Sequence, residues 1–230
     1  MSEPAAQLVR HDTDLWSAEY TVDWPLGLVP IPVRMTVLRL GDGRLILHSP
    51  GPLSTGLMQE LDALGRVGFI VVPHMHGRFA AQAAQQYPFA RLLAAPLPPS
   101  SQASLAFHAS LEDEPPAAWR GQVESHRVRG SRLPEVVFFH RLSRTLLITD
   151  LCFNVQRSES RAARAFFRLD GMWRRFGPSY VTRLLGVSDR AAFRGSLEHM
   201  ARWDFERIVP GHGDVVEHGG PAALRTAWRI

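Results

Sequence analysis

Four side chains of metal-binding type lie where strand-like runs end. His74 and His76 follow the apolar run Val67 to Val72. Asp150 closes the run Leu146-Leu147-Ile148-Thr149, and His212 sits between Gly211 and Gly213 after Ile208-Val209-Pro210. Imidazole nitrogen and carboxylate oxygen suit Zn²⁺ and non-haem Fe²⁺, and two His with one carboxylate can hold one divalent ion with coordination positions left open. Such an ion polarises a carbonyl or phosphoryl oxygen and lowers the pKa of its bound water towards about 7. The chemistry indicated is metal-assisted hydrolysis, with non-haem iron chemistry also open, and Asp150 and His212 are the candidate catalytic pair. The glycines beside His212 point to close backbone approach there.

Taken singly, each residue has an ordinary explanation. A histidine after an apolar run is a common loop residue, and an aspartate at a strand end can cap a turn or pair with Arg. The order and placement of all four carry the reading. His140, late in a strand, reads as structural, and His48 before Ser49-Pro50 suits a cleft or a core equally. Cys152 is the single cysteine, which excludes an internal disulfide and a multi-cysteine zinc site. It reads as a buried structural thiol. No Walker loop, dinucleotide-binding glycine motif or serine nucleophile elbow occurs.

The elements that must position these groups follow from periodicity. Met35 to Leu40 and Arg44 to His48 read as a hairpin about Gly41-Asp42-Gly43. Leu57, Met58, Leu61 and Leu64 have helical spacing, with Ser54 or Thr55 as the cap. Val67 to Val72 reads as a strand buried on both faces. Phe79 to Tyr87 reads as helix and Arg91 to Ala95 as a short strand. Leu97 to Pro116, rich in Pro, Ser and acids, reads as a surface loop. Strands are expected over Val123 to Val128, Glu135 to His140, Thr145 to Asp150 and Ile208-Val209. Helices are expected over Glu159 to Leu169, Asp189 to Trp203 and Pro221 to Trp228. The Arg-rich stretch Arg157 to Phe176 reads as an amphipathic helix with aromatics on a sheet and Arg in solvent.

The chain has 230 residues, of which 45% are hydrophobic, enough for a sizeable core in one domain (1-230) with residues 1-20 as a peripheral N-terminal segment. No apolar run approaches the roughly 20 residues that span a bilayer, and no signal-peptide core occurs, so a cytoplasmic location without membrane association is expected. Net charge is +4, and all 26 basic residues are Arg. Arg favours bidentate contact with phosphate or carboxylate, so the expected partner is a small-molecule substrate for which an anionic group is allowed, rather than nucleic acid. Oligomeric state is left open. Composition alone supports an α/β or α+β class.

His48-Ser49-Pro50, Val71 to His76, Glu135 to His140, Leu146 to Asp150 and Val209 to Gly213, in this order, resemble the metallo-β-lactamase-fold superfamily. Within it they look most like a bacterial branch known as a domain of unknown function. The resemblance spans about residues 33–227. It implies a four-layer αββα sandwich of α/β (α+β) class with a metal cleft at one edge. It further implies relatives that are mostly hydrolases of esters, amides, thioesters or phosphodiesters using two zinc or iron ions, with some oxidoreductases.

The superfamily's first motif, His-x-His-x-Asp-His, falls on His74, His76, Arg78 and Phe79, so its last two ligands are replaced. Its Gly-His-Thr falls on Gly130-Ser131-Arg132, where the His is missing. Asp150 matches the bridging Asp and His212 the final His. Against the closer branch, His76 and Gly77 match a His-His pair, and the site is again incomplete. The resemblance thus implies a reduced, at most mononuclear site for Zn or Fe, built from His74, His76, Asp150 and His212. It places Arg78 where the second metal would be, near Asp150 or His212. Three functions stay open: a metal-dependent hydrolase, a non-catalytic binding protein on the same scaffold, and an iron-dependent oxidoreductase.

Overall fold

The computed structural model describes residues 6–24, 27, 29–75, 77–96 and 106–230. Eleven strands form two sheets among these residues. The larger contains, in spatial order, β1 (Val9–Asp12), β2 (Leu15–Asp23), β3 (Pro30–Arg39), β4 (Arg44–His48), β5 (Arg66–Val72), β6 (Arg91–Ala94) and β7 (Ala109–Ser110). It is antiparallel from β1 to β4 and parallel from β4 to β7. The smaller runs β11 (Arg207–Pro210), β10 (Thr145–Ile148), β9 (Val136–His140), β8 (Val123–Arg127), with β10 and β11 parallel.

The sheets pack face to face. Met35, Val37, Leu45 and Leu47 of the larger sheet share one core with Val123, Phe138, Leu147 and Val209 of the smaller. Edge-to-face aromatic contacts run from Phe69 through Trp119 to Phe138 at 5.2 and 6.0 Å. Alternation along β9 and β10 sends Val137, Phe139, Leu146 and Ile148 to the opposite face. There they meet Phe193, Leu197 and Met200 of α5 (Arg190–Met200) and Leu224 and Ala227 of α6 (Gly220–Trp228). Helices α1 (Thr55–Leu64) and α2 (Ala80–Gln86) bury Leu57, Leu61, Ala80 and Ala83 with the larger sheet. The result is the four-layer αββα sandwich expected from the resemblance. Burying each such Leu, Ile or Phe contributes about 1.5–3 kcal/mol before chain entropy is counted.

Local signals agree with this frame. Ser54 caps α1 by accepting from the Leu57 amide at 3.2 Å. Ser160 caps α3 (Arg161–Leu169), and Asp189 caps α5 through the Ala191 and Ala192 amides. Differences from the sequence reading lie at the periphery of its patterns. Within the N-terminal segment, of which residues 6–20 are described, β2 pairs with β3 along its whole length and buries Leu15, Trp16 and Ala18. Its outer half alternates exposed Glu19, Thr21 and Asp23 with half-buried Tyr20 and Val22, which leaves only a short apolar signal. The expected surface loop Leu97 to Pro116 contains β7, which pairs with β6; residues 97–105 lie outside the described residues. Helix α4 (Tyr180–Leu185), capped by Ser179, was not expected.

Candidate metal centre

The ends of β4, β5, β10 and β11 meet at one edge of the sandwich. The Val136 amide donates to the Pro73 carbonyl at 2.8 Å, and His74 forms an antiparallel bridge with Glu135. These contacts tie the chain leaving β5 to the start of β9. The β11 exit is tied to β3. Arg34 donates from its amide to the Gly211 carbonyl and from Nη1 to the Pro210 carbonyl, each at 2.9 Å, and it pairs with Glu19. Asn154 then grips the loop: its amide donates to the His212 carbonyl at 3.0 Å, and its carbonyl accepts from the Asp214 amide at 2.8 Å. Gly213 makes this approach possible. Its φ is +85°, and a Cβ there would lie 2.2 Å from the Asn154 carbonyl oxygen.

Three of the four predicted ligands converge. Asp150 Oδ2 is 3.4 Å from His74 Nδ1, and Asp150 Oδ1 is 3.1 Å from His212 Nε2. His74 and Asp150 are buried, and His212 is nearly so. His76 lies outside the described residues. Donor atoms sharing an ion at 2.0–2.2 Å in tetrahedral geometry stand about 3.3–3.6 Å apart, close to the two separations seen. Among the described residues alone, however, no group of three or more His, Cys, Asp and Glu could hold a metal ion. A site built from the described side chains is therefore incomplete.

The orientation of His212 is set by two contacts. Its ring stacks on Phe153, with centroids 5.0 Å apart, and Nδ1 lies 2.9 Å from the Pro32 carbonyl oxygen. A carbonyl only accepts, so Nδ1 carries a proton and donates. In the neutral ring this leaves a lone pair on Nε2 facing the Asp150 carboxylate. Two acceptors at 3.1 Å need a cation between or beside them, either a second proton on the ring or a metal ion. A backbone carbonyl that holds the far nitrogen is the usual second partner of a metal-binding imidazole.

The electrostatics centre on Asp150. Burial alone would raise its pKa, but the charge of His74 and hydrogen bonds from His212 and His74 hold it well below the carboxylate range. His74 is opposed by burial yet raised overall by the charge and hydrogen bond of Asp150. Ser49 Oγ is 3.4 Å from His74 Nε2, and Ser49 has a φ of +54°, a strained value for a non-glycine residue. Ser49, His74 and Asp150 thus stand in the order of a Ser–His–Asp relay. Both contacts, at 3.4 Å, exceed the roughly 2.6–3.2 Å of a proton transfer, and the serine is only 6% exposed. The arrangement reads better as support for His74 than as a nucleophile.

Glu135 and Ser49 were missed as site residues, because each sits within an ordinary strand or turn signal. Glu135 is buried beside Asp150 and accepts from the Thr149 amide at 2.6 Å. Burial, with the charge of Asp150 adding, pushes its pKa up to about 7. The folded value lies above the unfolded 4.5, so the folded chain keeps a proton that the unfolded chain has lost. Its contribution is complete below that unfolded value and declines as pH rises towards 7, by roughly 3 kcal/mol in all. Gln can still accept from Thr149, so Glu135→Gln should flatten the fall in stability between pH about 5 and about 8. Urea melts of the metal-free variant and parent at both pH values check this, and parallel curves would contradict it.

Arg78 departs from expectation. It lines the same cleft as His74, Asp150 and His212, but makes no ion pair with Asp150. Its guanidinium lies 5.9 Å from the Phe79 ring centre, and Phe79 packs edge-on against Tyr20. Asp150 is already satisfied by two imidazoles, so nothing draws Arg78 inward. Ser131 is turned to the backbone, contacting the Leu133 amide at 3.0 Å and the Gly186 carbonyl at 3.5 Å. His48 stacks edge-on against Phe138 at 5.3 Å and is pushed down to about 3 by burial, with His74 adding. It is a neutral core residue. His140 bonds Ser143 at 2.7 Å, a structural role. Cys152 is buried, which pushes its thiol pKa up and leaves it inert.

Above these groups opens a cleft of about 820 Å³. Its walls are mostly apolar and include Tyr20, Trp24, Phe79, Phe153, Phe166 and Phe167. The aromatics of α3 therefore do not lie on a sheet as expected. Phe167 packs with Val29, Val155 and Met172, and Phe166 walls the cleft.

Solved structures of similar fold include metallo-β-lactamases. A metallo-β-lactamase from Pontibacter korlensis matches with a TM-score of 0.65 at 13% identity, over 98% of this chain and 99% of that one. FIM-1 from Pseudomonas aeruginosa, in its mono-zinc form, matches at 0.63 and 13% identity, over 97% and 93%. A metal-soaked Flv1 flavodiiron core from Synechocystis sp. PCC6803 matches at 0.65 and 15% identity, over 97% of this chain and 60% of that one. At these identities the likeness is one of fold. No curated protein matches the chain. The family described as Domain of unknown function (DUF4336) matches residues 14–170, more than half of the sequence. The chain therefore belongs to the DUF4336 family, on a metallo-β-lactamase fold.

Proposed function

We propose that this protein is a metal-dependent hydrolase with a reduced site for at most one divalent ion, Zn or Fe, held by His74, His76, Asp150 and His212. The observation that carries the proposal is the His212 ring. Its Nδ1 donates to the Pro32 carbonyl, and its Nε2 lies 3.1 Å from a buried carboxylate at the floor of a cleft. A bound ion would supply an electrophile and an activated water. The chain's own residues do the rest. Pro32 fixes the His212 tautomer, Phe153 holds the ring plane, and apolar walls line the approach to the floor. Asp150, negative across the neutral range, engages His74 through one oxygen and His212 through the other and so orients both rings at the floor of the cleft. The test is turnover of ester, thioester, amide and phosphodiester substrates by metal-loaded and EDTA-treated protein. Hydrolysis of one class, lost with EDTA and restored by Zn or Fe, is expected. No turnover in any class contradicts the proposal.

One observation favours a second reading, a binding protein without metal. Ser49, His74, Asp150 and His212 form a continuous chain of contacts in which each group has a partner without an ion. Metal retention separates the two readings. Iron rather than zinc, with redox activity, would instead favour the oxidoreductase.

A further inference from the structure

The cleft has two chemically different zones. One is the polar floor of His74, Asp150 and His212. The other is a wall of Trp24, Phe166, Phe167, Leu169, Met172 and Val181. This wall reaches the surface as bare hydrocarbon, with Leu169 and Val181 exposed by 81% and 56%. Apolar side chains lining an open cleft lose hydration only when an apolar ligand covers them. The volume of about 820 Å³ lies within the roughly 300–1,000 Å³ of small-molecule sites.

Charge supplies the second half of the argument. Among the described residues, the charged side chains lining the cleft, apart from its histidines, are Asp150, Asp170 and Arg78. Asp150 is engaged by His74 and His212, and Asp170 accepts from the Val181 amide at 3.0 Å. Among the described residues, no carboxylate lies within ion-pair distance of Arg78, whose guanidinium lies 5.9 Å from the Phe79 ring centre. Arg78 stands beside Phe79 and acts electrostatically on the half-buried phenol of Tyr20. A guanidinium with no acidic partner, at the edge of an apolar chamber, complements an anionic head on an apolar body.

We infer that the cleft binds an amphipathic monoanion, an acyl chain carrying one carboxylate-type head, with the chain along the Trp24–Phe166–Leu169 wall and the head on Arg78. This deepens the proposed hydrolase by naming the class of ligand or product its cleft holds, and it rests on that reading only in treating the cleft as the substrate site. Binding can be measured with compounds that cannot be hydrolysed, so the two ideas fail separately.

The probes are straight-chain alkyl carboxylates of increasing length and the matching alkyl alcohols. Affinities are taken by calorimetry below the micellar range on EDTA-treated protein, which keeps the head from binding a metal. Each added methylene should tighten binding about fourfold until the chamber is full. Arg78→Gln should weaken the carboxylates about tenfold or more and leave the alcohols within about twofold. Leu169→Glu alters an exposed side chain and should not disturb folding; it should weaken long carboxylates far more than short ones. Affinity independent of chain length, or equal loss for carboxylates and alcohols in Arg78→Gln, would overturn the inference. So would probe binding displaced by self-association of the protein, which would make a second copy the occupant of the wall. Carboxylate binding as expected, with no turnover of ester, thioester, amide or phosphodiester by metal-loaded protein, would uphold it and remove the hydrolase.

Discussion

Asp150→Ala is expected to destabilise the metal-free protein by about 3–5 kcal/mol at neutral pH and to abolish retention of a divalent ion. Two buried imidazoles share this carboxylate, at 3.4 and 3.1 Å, and its removal leaves His74 facing Glu135 without its main counter-charge. The loss also has a predicted pH dependence. Asp150 is held well below the carboxylate range, so its contribution is present above the unfolded value of 3.8 and disappears as pH falls through the folded one. His74 has a raised pKa, so its share is complete below 6.5 and is lost as pH rises through its folded value. The gap between parent and variant should therefore be widest in mildly acidic to neutral solution and close at strongly acidic pH. Urea melts across that range measure it. A constant difference below about 1 kcal/mol would mean that Asp150 is an ordinary turn residue.

Gly213→Ala should be nearly as damaging, although no side chain is removed. At φ +85° an L-residue loses about 1–2 kcal/mol. The new Cβ would also lie 2.2 Å from the Asn154 oxygen and 2.4 Å from its carbonyl carbon, so backbone must move. That displaces the two hydrogen bonds through which Asn154 holds the His212 loop. A total of about 3–4 kcal/mol and a displaced His212 are expected. Gly43→Ala is the control, because Gly43 has φ +82° and nothing within 4 Å of its added Cβ. It should show the conformational part alone. Equal melting temperatures for the two variants would contradict the close approach.

The sandwich was largely legible because its signals are local. Apolar runs mark β5, β9 and β10, the Gly41-Asp42-Gly43 turn marks the β3–β4 hairpin, and Ser54 and Asp189 mark helix starts. Element β2 was not, because its buried half is short and its exposed half alternates with charge. For the site, strand-end placement predicted the meeting of His74, Asp150 and His212, since parallel strands deliver their ends to one edge. Long-range partnerships were not legible. Nothing in the sequence near Pro32 announces that its carbonyl sets the His212 tautomer across 180 residues. Nor does Glu135 signal that it lies behind Asp150. Arg78 was misplaced because an alignment position fixes a Cα but not the direction of a long side chain.

The central claim is that His74, Asp150 and His212 belong to a site for one divalent ion. Plasma mass spectrometry of protein loaded with Zn²⁺ or Fe²⁺ and then extensively dialysed tests it most directly, with Asp150→Ala and His212→Ala treated identically. The account predicts one retained ion per parent chain and essentially none in either variant. Parent protein that retains no metal, that retains two ions, or that is matched by its variants would contradict it.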